Sequence, residues 1–207
     1  MALRYEGFLA LFHAKTAGLY EVHTQALPAS RGRIVRDGAP AMLNWMFTRT
    51  NAIEIVTRIP DDNDPARELA QMNGFEFEFR RETGWMTTAG NMPVDWFRLG
   101  ITSWMRDAQG LVERGQWFHR EIEAACRRAG VEREDHPDDE NHDRYVGAAA
   151  EMVLNGHAVK GIHFFNRWSC IVGTPPVVLL SDRPLVIHIG DCAVSVDGES
   201  LEIVKSQ

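Results

Sequence analysis

A chain of 207 residues is long enough for one large domain or two small ones, and either can bury a real core. With 22 basic against 29 acidic residues the net charge is −7 and no basic block is present, which argues against a nucleic-acid partner. No run approaches the ~18 apolar residues of a membrane span. The short apolar run Phe8–Phe12 is followed by His13 and Lys15, so it does not read as a signal peptide. Cys126, Cys170 and Cys192 are odd in number and lack a CxxC spacing, as expected of reduced, mostly buried thiols. A soluble protein of a reducing compartment is the expectation, cytoplasmic unless it is packaged elsewhere.

In chain order, Gly7–Ala14 and Leu19–Leu27 read as two strands joined by the Lys15–Gly18 turn, an antiparallel hairpin. Glu21, His23 and Gln25 fall on one face of the second strand, opposite Tyr20, Val22 and Thr24. Pro28 ends it, and Ala29–Arg33 forms a loop. Ile34–Arg49 has helical spacing, with Pro40 either opening the helix or kinking it. Ala52–Ile59 is apolar and β-branched, interrupted mainly by Glu54 and Arg58, which suits a largely buried strand. After the turn formers of 60–64, Asp64 is expected to cap a short helix with Pro65 in its first position, and Gly74 to stop it. Phe75, Phe77 and Phe79 alternate with charged residues as a half-buried strand. A loop at Ala89-Gly90-Asn91 leads into a further strand at Asp95–Ile101.

The order β, β, loop, α, β, α, β, β, together with Tyr20-Glu21-Val22-His23, Leu27-Pro28, Arg31-Gly32, Ile59-Pro60, Asn63-Asp64-Pro65-Ala66, Gly74-Phe75 and Gly90 with Asp95, resembles the later two-thirds of the GCN5-related N-acetyltransferase (GNAT) fold. More narrowly it is similar to the abbreviated GNAT-like proteins encoded by tailed bacteriophages. The resemblance covers roughly Gly7–Ile101. It implies a central strand that ends in a loop cradling the acetyl-CoA pyrophosphate at a helix N-terminus, a diverging neighbour strand, a short helix and a terminal hairpin. On it, Glu21 and His23 are the candidate catalytic residues, on the strand face where the family often carries a glutamate that deprotonates the acceptor amine, sometimes through water. Leu27, Arg31, Gly32, Arg33, Asn63 and Ala66 are the candidate cofactor contacts. Each also has an ordinary alternative: polar positions on a half-solvated strand for Glu21 and His23, a pre-helix turn for Asn63, and solvated loop arginines for Arg31 and Arg33.

Three departures from the family pattern stand out. The pyrophosphate loop expects a glycine pair, whose backbone N–H groups converge on phosphate oxygens. Here Gly32 is followed by a second glycine only at Gly38. The short helix Ala66–Asn73 lacks the tyrosine that protonates the leaving thiolate in many members. Only about thirteen residues precede the first turn, so the family's first strand and helices are expected to be missing.

Beyond Trp104 the resemblance ends. Leu111, Phe118, Ile122, Ala125 and Ala129 mark an amphipathic helix from about Arg106 that Gly130 closes. Glu132–Asp143 reads as a solvated acidic linker, although His136, Asp138, Asp139, His142 and Asp143 invite a metal reading; their spacing does not match a helical site, and no metal is expected. Tyr145–Met152 forms a second helix. His157–Val172 has a helix's spacing, with a strand pair around Asn166 as the alternative. Val177–Leu180, Leu185–Ile189, Cys192–Val196 and Leu201–Val204 are short strands, and Asp197-Gly198 is a hairpin turn. Trp117, Phe164, Phe165 and Trp168 default to core.

The fold class is therefore α+β: a GNAT-like mixed sheet flanked by helices over residues 1–105, then helices and a small antiparallel β module over 106–207, with a linker about 131–143. Two functions follow from the resemblance and its departures. One is a non-catalytic structural component of a tailed-phage virion, at the tail or head–tail junction. Such a component would be made in the host cytoplasm, have no cofactor, and have other virion proteins and copies of itself as partners. The alternative is an acetyl-CoA-dependent N-acetyltransferase acting on a protein or small amine.

Overall fold

The computed structural model describes residues 1–88, 90–132, 139–173, 176–189, 192–198 and 200–204. The chain divides into two compact units, Met1–Ala108 and Gln109–Gln207. Parts of the sequence reading lie outside the described residues, namely Ala89 and, within the expected linker, residues 133–138 with His136 and Asp138 among them.

Unit 1 is a six-stranded mixed sheet with helices. Its elements are β1 (Ala2–Tyr5), β2 (Phe8–Thr16), β3 (Leu19–Ala26), α1 (Arg33–Arg49), β4 (Glu54–Pro60), α2 (Asp64–Met72), β5 (Glu76–Thr87), β6 (Gly90–Gly100) and α3 (Ile101–Asp107). A single 3-10 turn at Pro28–Ser30 follows β3. The strand order is β1-β2-β3-β4-β6-β5, and every neighbouring pair is antiparallel except β3 and β4. A parallel pair needs a crossover, and α1 supplies it. Residues two apart share a sheet face, and one face buries Phe8, Phe12, Ile55, Phe97 and Leu99. From α1 come Met42, Leu43, Met46 and Phe47, all buried, and Phe47 stacks on Trp104 at 5.0 Å. Each such side chain contributes about 1.5–3 kcal/mol by leaving water.

Several sequence expectations need correction in this unit. A strand does precede Gly7: β1 pairs with β2 from Ala2↔Leu11 to Tyr5↔Phe8. The α1 helix starts at Arg33, so Pro40 lies inside it and does not open it. The cap of α2 is Asn63, whose side chain accepts from the Ala66 N–H, so Asp64 is the first helical residue and Pro65 follows it. Strand β6 starts at Gly90 and ends at Gly100, while Ile101 opens α3. The β5 strand is not half-buried. It is the sheet edge, and Phe77 and Phe79 are 58% and 38% exposed, packed on Phe97 and Trp96 by ring contacts at 5.9 and 5.4 Å.

Unit 2 joins α4 (Leu111–Ala129), α5 (Glu140–Leu154) and α6 (Ala158–Val172) to an antiparallel sheet ordered β10-β9-β8-β7. Its strands are β7 (Val177–Asp182), β8 (Leu185–Ile189), β9 (Cys192–Asp197) and β10 (Ser200–Val204). The helix reading of 158–172 is the one adopted, closed by Gly173 in the left-handed conformation. Phe118, Ile122, Val146, Val153, Ile187, Val194 and Leu201 form its core, with Trp117 and Phe165 packed against it. The first amphipathic helix starts at Leu111 rather than Arg106, because Gly110 at φ 78° breaks it from α3. Glycines set how closely α4 and α5 approach: a Cβ on Gly115 would lie 2.1 Å from the Asp143 carbonyl oxygen, and one on Gly147 1.9 Å from that of Leu111.

The solvated-linker reading fails at its C-terminal end. Asp139 caps α5, and His142 and Asp143 sit inside that helix at 7% and 2% exposure. There His119 Nε2 stands 3.6 Å from Asp143 Oδ1, the His119 and His142 rings stack at 5.5 Å, and Trp168 Nε1 donates to His142 Nδ1 at 3.3 Å. Of the three cysteines Cys126 and Cys192 are buried, while Cys170 is exposed.

Candidate functional site

The site of unit 1 arises from a gap in its own sheet. Strands β3 and β4 pair only at Leu19↔Glu54, Tyr20↔Ile55 and Glu21↔Val56, although β3 continues to Ala26 and β4 to Pro60. Past that point the strands part, and Thr57 Oγ1 bridges to the Val22 carbonyl at 3.0 Å where the gap opens. The parting leaves a cleft of ≈ 290 Å³. Its walls are mostly apolar, with Phe8, Phe12, Val22 and Ile59 from the sheet, Met42 and Leu43 from α1, and Ala66 and Ala70 from α2. His23, Arg58, Asn63 and Asn73 add polar groups at its margins. A mostly apolar cleft with a few polar groups is what a small-molecule site requires.

At the head of the gap sits Glu21, 2% exposed. Its carboxylate takes a hydrogen bond from Lys15 Nζ at 2.9 Å and another from Arg58 Nε, and His23 Nε2 stands 3.2 Å from Oε1. Burial pushes the Glu21 carboxyl up, but the hydrogen bonds from Lys15 and Arg58 and the charges of Arg58 and His23 outweigh it. The group is held below its ordinary range as an anion. Burial pushes the His23 imidazole down; the Glu21 charge opposes this, while Arg58 and His13 reinforce it, and the net direction is down. A neutral imidazole beside an anchored carboxylate is an arrangement suited to accepting a proton. The His13 ring meets His23 edge-on at 5.7 Å.

A second ionic cluster fixes the start of α2. Arg67 reaches Asp61, Asp64 and Asp95 at 3.6, 2.5 and 3.0 Å, and Arg80 reaches Asp61 at 2.6 Å and Asp95 at 3.5 Å. This ties the turn after β4 to β6 and holds Asn63 and Ala66 at the cleft.

The sequence-derived candidates thus divide into two groups. His23, Asn63 and Ala66 line the cleft, and Glu21 lies one contact behind His23. Leu27, 62% exposed, and the exposed Arg31, Gly32 and Arg33 do not line it; they stand at the start of α1. Gly32 caps that helix at φ 89°. Gly38 is no part of a phosphate loop. It is buried within α1, where a Cβ would come 2.9 Å from Tyr5 and 3.0 Å from Phe8, so it serves helix–sheet packing. Nor is Glu21 an ordinary polar position on a half-solvated strand. Sequence reasoning missed Arg58 and Lys15; the one available signal was Arg58 itself, a charge interrupting an otherwise apolar strand. Among the described residues, no group of three or more His, Cys, Asp or Glu is placed to hold a metal ion, and no helix is long and apolar enough to cross a membrane.

Unit 1 is therefore a GNAT-like mixed sheet: a central strand, a crossover helix, a neighbour that diverges after three paired residues, a short helix and a terminal hairpin. No family model matches the chain, and no curated protein matches it. Matching solved structures include a GNAT-family acetyltransferase of Bacillus anthracis, at 15% identity over 45% of this chain and 57% of that one, TM-score 0.42. A spermidine/spermine N-acetyltransferase of Vibrio cholerae, solved in mutant form, matches at 16% identity over 49% and 63%, TM-score 0.46. A ribosomal-protein-S5-alanine acetyltransferase of Vibrio fischeri matches at 14% identity over 47% and 55%, TM-score 0.43. The chain spans between about half and two thirds of the length of these structures.

Proposed function

We propose that unit 1 binds acetyl-CoA in the cleft between β3 and β4 and transfers the acetyl group to an amine. The observation that carries this reading is the placement of the Glu21–His23 pair at the head of an apolar cleft opened by parting strands. Acetyl-CoA supplies an activated acetyl group there. Asn63 and Ala66 hold its arm along the cleft, and the first turn of α1, with Arg31, Gly32, Arg33 and nearby Leu27, receives its phosphates. That turn contains no acidic side chain, and no atom lies within 4 Å of where a Cβ of Gly32 would stand, so backbone and helix dipole both favour an anion. His23 takes the amine proton, and Glu21 stays ionised. Calorimetry of the full chain with acetyl-CoA tests the reading: micromolar binding that weakens in Asn63→Ala and Arg31→Ala is expected, and no binding by the parent protein overturns it.

A second reading, a non-catalytic component of a tailed-phage virion, is favoured by a different observation. The edge strand β5 leaves Phe77, Phe79 and Met86 in solvent, Met86 at 84% exposure, which suits assembly with copies of itself or other virion proteins. The lack of a tyrosine in α2 also fits a scaffold without chemistry. Light scattering at increasing concentration separates the two: a fixed multimer with no acetyl-CoA binding supports the virion role, and a binding-competent monomer removes it.

A further inference from the structure

Arg58 is the one cleft-lining cation in contact with Glu21, and it is held on two sides. Its Nε donates to Glu21 Oε1, and its guanidinium carbon lies 5.4 Å over the centre of the Trp96 ring. Among the described residues its terminal nitrogens make no hydrogen bond, and the side chain is 31% exposed. A guanidinium fixed at its Nε edge presents its remaining N–H groups as a ready fork. His23 Nε2 and Arg58 Nε both address the same atom, Glu21 Oε1, so the imidazole and the fork are neighbours. At Glu21 itself cations outnumber carboxylates, in contrast to the three aspartates and two arginines at the start of α2. Lys15 and Arg58 both bond the single Glu21 carboxylate, and Arg81 adds a third cation 5.3 Å from the Trp96 ring centre. A polycationic amine would meet this excess of like charge, whereas an amine with a nearby carboxylate would neutralise it.

We propose that Arg58 is an anion subsite that selects, as acceptor, an amine bearing a carboxylate a few bonds from its nitrogen, with Glu21 the positioning residue for both Arg58 and His23. The proposal rests on the acetyl-transfer reading of the same cleft. The carboxylate pairs with the Arg58 fork while the amine faces His23. The nitrogen then bonds the acetyl carbon as the C–S bond breaks, the amine proton passes to His23, and the sulfur leaves with the bonding pair and is protonated from solvent.

The test uses the full chain and three amines: glutamate, butylamine and spermidine. Titration of each, followed by NMR at the histidine ring protons, is expected to give affinity for glutamate at least about tenfold above the other two. Arg58→Gln should remove that preference by weakening glutamate much more than butylamine, and Arg58→Lys should restore part of it. In turnover with acetyl-CoA the loss should appear in KM for glutamate rather than in kcat. The subsite is overturned if spermidine binds best, if Arg58→Gln weakens all three amines alike, or if it weakens acetyl-CoA instead of glutamate. Absence of acetyl-CoA binding to the parent protein overturns the acetyl-transfer reading, and the amine titration then still decides the subsite.

Discussion

Both units place ionisable side chains below the surface, unit 1 beside a gap and unit 2 inside a seam. In unit 1 the two central strands stop pairing after three residues, and Glu21, His23 and Arg58 collect where they part, with an apolar cleft alongside. In unit 2 two glycines bring α4 and α5 into backbone contact, and His119, His142 and Asp143 are closed in among aromatic rings. The same residue types therefore have different consequences. A carboxylate and an imidazole at a gap face a volume that a ligand can fill; in the seam their described contacts are with other side chains. Proximity of His and Asp is no sign of a site unless the backbone leaves room beside it.

Adding bulk to the seam is the severest way to test that contrast. Gly147→Ala sets a methyl 1.9 Å from the Leu111 carbonyl oxygen, a backbone atom that cannot swing aside, so the helix pair must separate. We expect a loss of about 3 kcal/mol or more in denaturant unfolding of the full chain. Acetyl-CoA binding by unit 1 should persist under conditions where unit 2 is still folded. A stability within about 0.5 kcal/mol of the parent would show that the seam is looser than its glycines imply.

The next change removes the charge at the gap. Glu21→Gln keeps the shape but ends the ionic hold on Lys15 and Arg58, and should cost about 2 kcal/mol at pH 7. The sign of its pH dependence follows from the lowered pKa of the parent carboxyl. That stability is fully present above the ordinary value of 4.5 and is lost as pH falls through the lower folded value. Parent and variant should thus converge in acid, as measured by urea unfolding from pH 7 downward. His23 supplies a second readout. The Glu21 charge raises its pKa against the lowering by burial and Arg58, so Gln at this position should shift the acid limb of acetyl transfer to lower pH while reducing the rate. An unchanged limb would mean that His23 is not the titrating group.

What the sequence disclosed follows from where a physical pattern was strong. The β4–α2–β6 run was legible because an apolar strand, turn formers, a cap and a glycine stop succeed one another, and the four strands of unit 2 because each is short, apolar and bounded by turn residues. Local signals failed where two residues could do one job: Asn63 and Asp64 both cap well, and only the bond from Ala66 N–H to Asn63 decides between them. They failed at β1, an edge strand with three of four residues exposed, which carries no alternation. They failed for β5, whose Phe/Glu alternation imitates a half-buried strand while ring stacking does the holding. In the site, Glu21 and His23 were found as strand-face neighbours, but the depth of Glu21 depends on Lys15 and Arg58 arriving from two other strands. The same limit hid His142 and Asp143, polar in sequence and enclosed only because α4 and α6 flank them. Which polar residue is buried is a property of the assembled sheet or bundle, not of its own segment.

The mildest change carries the comparison furthest, because it puts bulk into the gap rather than the seam. Ala66 lines the cleft from the first turns of α2, and Leu is nearly as good a helix former as Ala. Ala66→Leu leaves the Asn63 cap intact, since the cap bonds the backbone N–H and not the side chain. The added carbons enter space that no protein atom fills, so stability should change by less than about 1 kcal/mol, in contrast to Gly147→Ala. Acetyl-CoA affinity should nevertheless fall by about tenfold or more, read by calorimetry, because the same carbons occupy the room that the arm needs. Full binding by a stable Ala66→Leu protein would place the ligand outside this cleft; unfolding of unit 1 would show that the gap is packed rather than open.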